Sequence, residues 1–317
     1  MGNVSRESPF VVRFLAWMAE RFPLANGVFA FVLSVAALAY GKSLATAGRV
    51  SFGARDILGF LGVYSFFLML RVFDEHKDYE SDRIYHPQRV LQRGLITLGH
   101  LKVVGLLAIV MQAAASLTYD RGFGRVTLLW VGTFAWSLLM AREFFVPEWL
   151  RPRLLLYTFS HMLVMPLAML WMLQMGMGSH PMTPQVLWMA LLAFFAGLTF
   201  EIGRKFKAPE EEREGVDSYT RRFGTRRAPF VLLLVIVVAA LLVLEALQSV
   251  LGGHIGVLAM AFLALMVAFP GGVLFAFSAR PTPQRAKLAG AASGLAILLA
   301  YCLIIGVLAA ERGVAWL

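Results

Sequence analysis

Asp74, Asp78 and Asp82 recur at intervals of four in the segment Arg71-Val-Phe-Asp-Glu-His-Lys-Asp-Tyr-Glu-Ser-Asp-Arg83. Residues four apart on a helix share a face, with about 5–6 Å between Cβ atoms, so this spacing stacks three negative charges in a row. A solvated face gains by alternating sign at that interval, whereas like charges repel unless a cation holds them together. A hard divalent cation such as Mg²⁺ takes oxygen ligands and bridges protein carboxylates to substrate phosphates. Bases surround the acids: Arg71 one turn before, Arg83 directly after, then Arg89 and Arg93. These residue types point to a diphosphate held partly by metal and partly by guanidinium and ammonium groups.

The elements that carry these side chains are membrane-spanning. The 317 residues are 59% hydrophobic, the mean hydropathy is +0.71, and apolar runs of about 20 residues recur along the chain. The runs predict nine spans, near 24–41, 55–73, 101–118, 124–141, 154–175, 184–202, 228–250, 254–278 and 287–309. The first 22 residues mix Arg6, Glu7, Arg13, Glu20 and Arg21 with apolar positions and lack the pattern of a cleaved leader; they read as an amphipathic segment at the interface. Residues 23–317 then form a single nine-helix domain. Alternate loops collect 23 of the 29 Lys and Arg on one side, which is expected to be cytoplasmic together with the N-terminus. The formal charge of +10 is met by anionic headgroups, without nucleic acid. A lone Cys302 excludes an internal disulfide and a thiolate metal cluster.

Two loops on the basic side are long, at about 71–98 and 201–227. Each mixes acids and bases where a helix leaves the membrane, and four spans separate them, which suggests two equivalent halves. In the second loop Glu201, Arg204, Lys205, Lys207 and the run Glu210-Glu211-Glu212 are the candidates. A pyrophosphate carried by something apolar explains why such a site belongs in a membrane.

With Asp74, Asp78 and Asp82 followed by Arg89-Val-Leu-Gln-Arg-Gly94, the chain resembles the UbiA superfamily of intramembrane prenyltransferases. That family carries N-x-x-x-D-x-x-x-D at the end of its second helix and then R-P-L-x-x-G. Gly215-Val-Asp-Ser-Tyr-Thr-Arg-Arg-Phe-Gly224 is similar to the family's G-x-x-T-x-x-x-x-x-G, with Ser218 for the Thr. The resemblance implies an all-α bundle around a central cavity open to lipid, in which two Mg²⁺ ions bind an isoprenyl diphosphate. Pyrophosphate leaves, and a hydrophobic acceptor, aromatic or lipid, attacks the allylic cation. Carried over by position, Asp78 and Asp82 match the motif aspartates, Asp74 stands for the Asn, and Arg142 resembles a base that contacts pyrophosphate.

The second motif departs from the family's D-x-x-x-D. Its positions fall on Lys207 and Glu211, with Glu201 near an earlier acid. Either Lys207 with Arg204 and Lys205 neutralises the diphosphate in place of a second ion, or Glu201 and Glu211 ligate Mg²⁺ in a shifted register, or the donor differs, for example a phosphorylated sugar. A polytopic cation transporter is the alternative outside the enzymes; it calls for ionisable groups at the bilayer midplane, whereas these acids sit at helix ends. The expected setting is a bacterial inner membrane. His161, beside Tyr157 and Ser160, is a cavity candidate or a helix-to-helix hydrogen bonder. Pro270-Gly-Gly272 is expected to kink or unwind its span, and Gly290-Ala-Ala-Ser-Gly294 to offer a close-packing face.

Overall fold

The computed structural model describes residues 4–213, 217–253 and 255–317. The α-helices are α1 (Phe10–Arg21), α2 (Leu24–Ala45), α3 (Ala54–Lys77), α4 (Tyr79–Tyr85), α5 (Leu98–Asp120), α6 (Arg125–Ala141), α7 (Pro147–Leu150), α8 (Leu154–Met162), α9 (Val164–Met177), α10 (Val186–Arg204), α11 (Tyr219–Leu251), α12 (Val257–Ala279) and α13 (Pro283–Arg312). Among the described residues, eight helical stretches are long and apolar enough to cross a bilayer, with α8 and α9 counted together as Leu154–Met177. The remaining expected span coincides with α6, which is apolar but has 17 residues, about 26 Å at 1.5 Å per residue. The protein is thus an all-α integral membrane protein. One small departure is a ribbon of β1 (Val50–Phe52) and β2 (Val314–Trp316), in which Val50 N–H donates to the Gly313 carbonyl at 3.0 Å.

Spans without water must satisfy every polar group from within. Ser43, Ser116, Thr133, Ser137 and Ser293 each donate to the carbonyl four residues earlier, at 2.8–2.9 Å. α12 continues as helix through buried Pro270, so the expected unwinding does not occur.

The chain divides into two compact units. One comprises residues up to Val35 with Phe52–Pro147 and Leu317; the other comprises Ala36–Ser51 and Glu148–Trp316. In the first unit α3 packs along α5, and α6 packs on both. Gly105 admits Val72 there, with 3.1 Å between the side chain and the place of a Cβ. α1 lays its Ala16 and Trp17 face against Val72, Val90, Leu91, Leu95, Ile96 and Leu101, while Val11 and Leu15 on its other side are exposed.

In the second unit α10 packs against α8, α9, α11 and α13. The second half of α2 approaches α9 backbone to backbone: a Cβ on Gly41 would lie 2.4 Å from Leu173 O, and one on Gly176 2.5 Å from Leu38 O. Such contact is the usual device of helix packing in lipid, where small residues bring backbones together. The expected small face of α13 is used in part. Gly290 and Ser293 abut Gly203 of α10, whereas Gly294 has open space at its Cβ position.

Candidate functional site

α3 begins with Gly53 N–H donating to Asp56 Oδ2 at 2.9 Å and runs through its apolar stretch to Lys77. Asp78 then leaves helical geometry, at φ −95° and ψ 5°, and α4 starts. One continuous helix through all three aspartates is therefore not what forms. The four-residue bonding still carries across the break: Asp78 N–H reaches Asp74 O at 2.9 Å, Asp82 N–H reaches Asp78 O and His86 N–H reaches Asp82 O, both at 2.8 Å. The aspartates thus remain on successive turns but enter different surroundings.

Asp74 is nearly half exposed and has loose ion pairs, Arg71 at 3.5 Å and Lys77 at 4.0 Å. Asp82 is buried, and its Oδ2 accepts from Arg89 while Arg21 of α1 lies 3.8 Å away. Asp78 lies between them, partly buried, and makes no ion pair or side-chain hydrogen bond with another described residue. Burial raises its carboxyl pKa; Lys77 lowers it, and Asp74, Asp82 and Glu143 push it up further. That is a deficit of positive charge, the condition a cation relieves. Among the described residues no group of three or more acidic, His or Cys side chains forms a ready metal cage. Mg²⁺ does not require one, since it keeps waters and takes one or two carboxylates plus phosphate oxygens. Asp74 and Asp78 fit that demand.

The surrounding bases divide. Arg71 and Arg89 stand beside the acids, but Arg83 pairs with Glu80 at 3.9 Å in full exposure, a pair worth little. Arg93 donates to the Val4 carbonyl at 3.2 Å. Arg142 is exposed and caps α6. The next three residues, Glu143, Phe144 and Phe145, all have positive φ, at 47°, 55° and 61°, and this left-handed turn buries Glu143.

Glu75 and Glu143 escape the sequence reading, which sets Glu20 and Arg21 in the N-terminal segment without linking them to the motif. For Glu75 a signal exists: Phe66, Met69 and Val72 are buried at steps of three, and Glu75 is the next step on that stripe. A charge on a core stripe demands a partner, which is Arg21, donating from Nε.

In the second unit, buried Glu201 in the last turn of α10 accepts from Arg204 at 2.5 Å and Lys205 at 2.8 Å. Glu211 accepts from Ala208 N–H at 3.2 Å. Glu212 accepts from the Ser218 and Thr220 hydroxyls at 2.6 and 2.9 Å. Glu210 is exposed. Lys207 anchors its backbone N–H on Thr220 Oγ1 at 3.0 Å, and its ammonium makes no ion pair with another described residue. Gly215 of the expected glycine motif lies outside the described residues; Gly224 interrupts α11 at φ 80°. Ser218 caps α11 through Arg221 N–H at 2.9 Å. Replacing Ser218 by Ala is expected to cost about 1 kcal/mol and to speed amide exchange in the first turn of α11. Ser218→Thr should stay near wild type in both thermal unfolding and exchange. His161 spends Nδ1 on its own helix, against Tyr157 O at 2.8 Å, and stacks on the Tyr157 ring at 3.9 Å.

The chain thus carries an acidic motif where a spanning helix ends, followed by a basic loop. The model of the UbiA prenyltransferase family matches residues 28–289. The chain belongs to that family. Among solved structures, a digeranylgeranylglyceryl phosphate synthase is similar at TM-score 0.62 and 16% identity, over 94% of this chain and 99% of that one. An apo UbiA homologue from Aeropyrum pernix K1 gives TM-score 0.61 and 14% identity over 87% and 97%. A UbiA homologue from Archaeoglobus fulgidus bound to GPP and Mg²⁺ gives 0.53 and 14% over 92% and 99%. Comparison with curated protein sequences gives no significant match.

Proposed function

We propose that the protein transfers an isoprenyl group from an isoprenyl diphosphate to an aromatic or lipid acceptor, with Mg²⁺ as cofactor and the motif loops cytoplasmic. The observation that carries this reading is Asp78, a partly buried carboxylate without an ion pair among the described residues, its pKa raised first by burial and then by its acidic neighbours. Family membership and the ligands of the A. fulgidus homologue support it. When bound, Mg²⁺ supplies charge stabilisation for the departing diphosphate.

The chain's own residues do the rest. Asp74 and Asp78 orient the ion, and Asp82 holds Arg89 at the edge of the motif. Arg71, Arg89 and Arg142 offer guanidiniums to phosphate oxygens. As the donor C1–O bond breaks, its electron pair leaves with the diphosphate; the acceptor forms the new bond to C1 and gives up a proton. Apolar spans keep water from the cation.

For the second loop, the acids already have internal duties: Glu201 is neutralised by two cations, Glu211 holds its own turn, and Glu212 holds two hydroxyls. Lys207, whose ammonium makes no ion pair with another described residue, is therefore the group that takes over charge neutralisation, in preference to ligation by Glu201 and Glu211, while Arg204 and Lys205 stay committed to Glu201. A different phosphorylated donor is the reading that this rewritten motif leaves as competitor. The placement of Asp74 and Glu201 in last helical turns disfavours a cation pathway.

The direct test incubates purified protein with labelled isoprenyl diphosphates and Mg²⁺ and follows pyrophosphate release, with and without a pooled lipid extract. Absence of release with every isoprenyl donor would reject the reading. In the same assay Lys207→Asp should raise the Mg²⁺ requirement several-fold or change its cooperativity. An unchanged magnesium titration would return the second ion to the glutamates.

A further inference from the structure

The acidic motif is locked to the N-terminal helix by a buried four-membered ion network. Arg21, in the last turn of α1, donates from Nε to Glu75 Oε1 and places a second nitrogen 3.8 Å from Asp82 Oδ2. Asp82 in turn accepts from Arg89. Side-chain exposure is 15% for Arg21, 0% for Glu75, 11% for Asp82 and 21% for Arg89. Two acids and two bases give no net charge, which suits their burial.

Around this network the N-terminal segment follows the 89–97 loop. Glu20 accepts from Val90 N–H at 3.2 and 3.3 Å, Arg13 donates to Leu95 O at 3.0 Å, and Arg6 donates to Arg93 O at 3.3 Å. Fully buried Trp17 packs on Val90, Leu91 and Leu95 between those contacts. Glu75 Oε2 has no hydrogen-bond partner among the described residues. Arg21 is thus the group that both compensates Glu75 and shares Asp82 with Arg89.

We propose that Arg21 is a positioning residue for diphosphate binding: it holds Asp82, so that Arg89 can turn from Asp82 to a phosphate oxygen without leaving that carboxylate buried and unpaired. The inference rests on the diphosphate reading above. Without Arg21, Asp82 keeps Arg89 for itself, because a buried carboxylate losing its last cation is costly, and phosphate must compete for the same guanidinium. The consequence is weaker ground-state binding, hence a higher donor KM with kcat little changed.

The test compares wild type, Arg21→Lys and the double variant Arg21→Met/Glu75→Gln, in lipid nanodiscs. The double variant removes both buried charges together, which protects the fold better than removing one. Binding of inorganic pyrophosphate with Mg²⁺ is measured by calorimetry, and donor kinetics alongside. Expected are about tenfold weaker pyrophosphate binding in the double variant, about threefold in Arg21→Lys, a matching rise in KM, and kcat within about twofold of wild type. If wild type binds and turns over while both variants match it in affinity and KM, the positioning role is overturned and the prenyl transfer reading stands. If wild type binds no Mg²⁺–pyrophosphate, both fall. Should the double variant not fold, Arg21→Lys decides, since it keeps the charge that Glu75 requires; wild-type affinity there overturns the proposal.

Discussion

Asp78→Asn is expected to lower isoprenyl transfer by about 100-fold or more, the usual cost of deleting a group that stabilises developing charge, while making the magnesium-free protein more stable. The second half follows from sign. Burial and acidic neighbours raise the Asp78 carboxyl from its ordinary value of 3.8, so folding favours the protonated acid. Its contribution to stability is present below the ordinary value and lost as pH rises through the raised one. At neutral pH the charged side chain opposes folding, and Asn removes that opposition. The unfolding temperature in chelator should rise by about 2 °C, with the gain shrinking as pH falls toward the carboxylate range. Added Mg²⁺ and pyrophosphate should reverse the order by stabilising wild type more. A variant less stable than wild type in chelator would mean that Asp78 is held by contacts other than those described.

The other large effect concerns packing. Gly176→Ala places a methyl 2.5 Å from Leu38 O, where neither backbone can yield without moving a helix. Overpacking of this kind costs about 3 kcal/mol, and Gly176→Leu should yield little folded protein. Gly294→Ala is the control. Its Cβ position has nothing within 4 Å, and Ala is the better helix former by up to about 1 kcal/mol, so thermal unfolding should move slightly upward. Equal losses at both positions would refute the close approach of α2 and α9.

Much of this architecture is legible in the sequence, because lipid leaves few options: about 20 apolar residues in a row form a helix wherever they occur. The aspartate spacing likewise survives, as its bonding pattern continues from Asp74 to His86. What escapes are facts of long separation. Arg21 and Glu75 meet across 54 positions, and no local pattern announces which cation will neutralise a buried acid. Which face of α1 is covered is likewise not legible, because its exposed Val11 and its buried Trp17 look alike in composition. The break at Asp78 is invisible because the residues on both sides favour helix equally well. At Pro270, of the two expected outcomes, unwinding does not occur, because a spanning helix in contact with its neighbours tolerates a proline inside it.

The turn at Glu143–Phe145 bears on how this enzyme can drift. Three consecutive side-chain-bearing residues at positive φ cost roughly 1–2 kcal/mol apiece, so the joint behaves as a cocked spring, latched in part by the Trp136–Phe144 ring contact at 5.3 Å. Because Glu143 is one of the groups that push the Asp78 carboxyl up, changes at Trp136 that disturb this turn are expected to reach the motif from outside it.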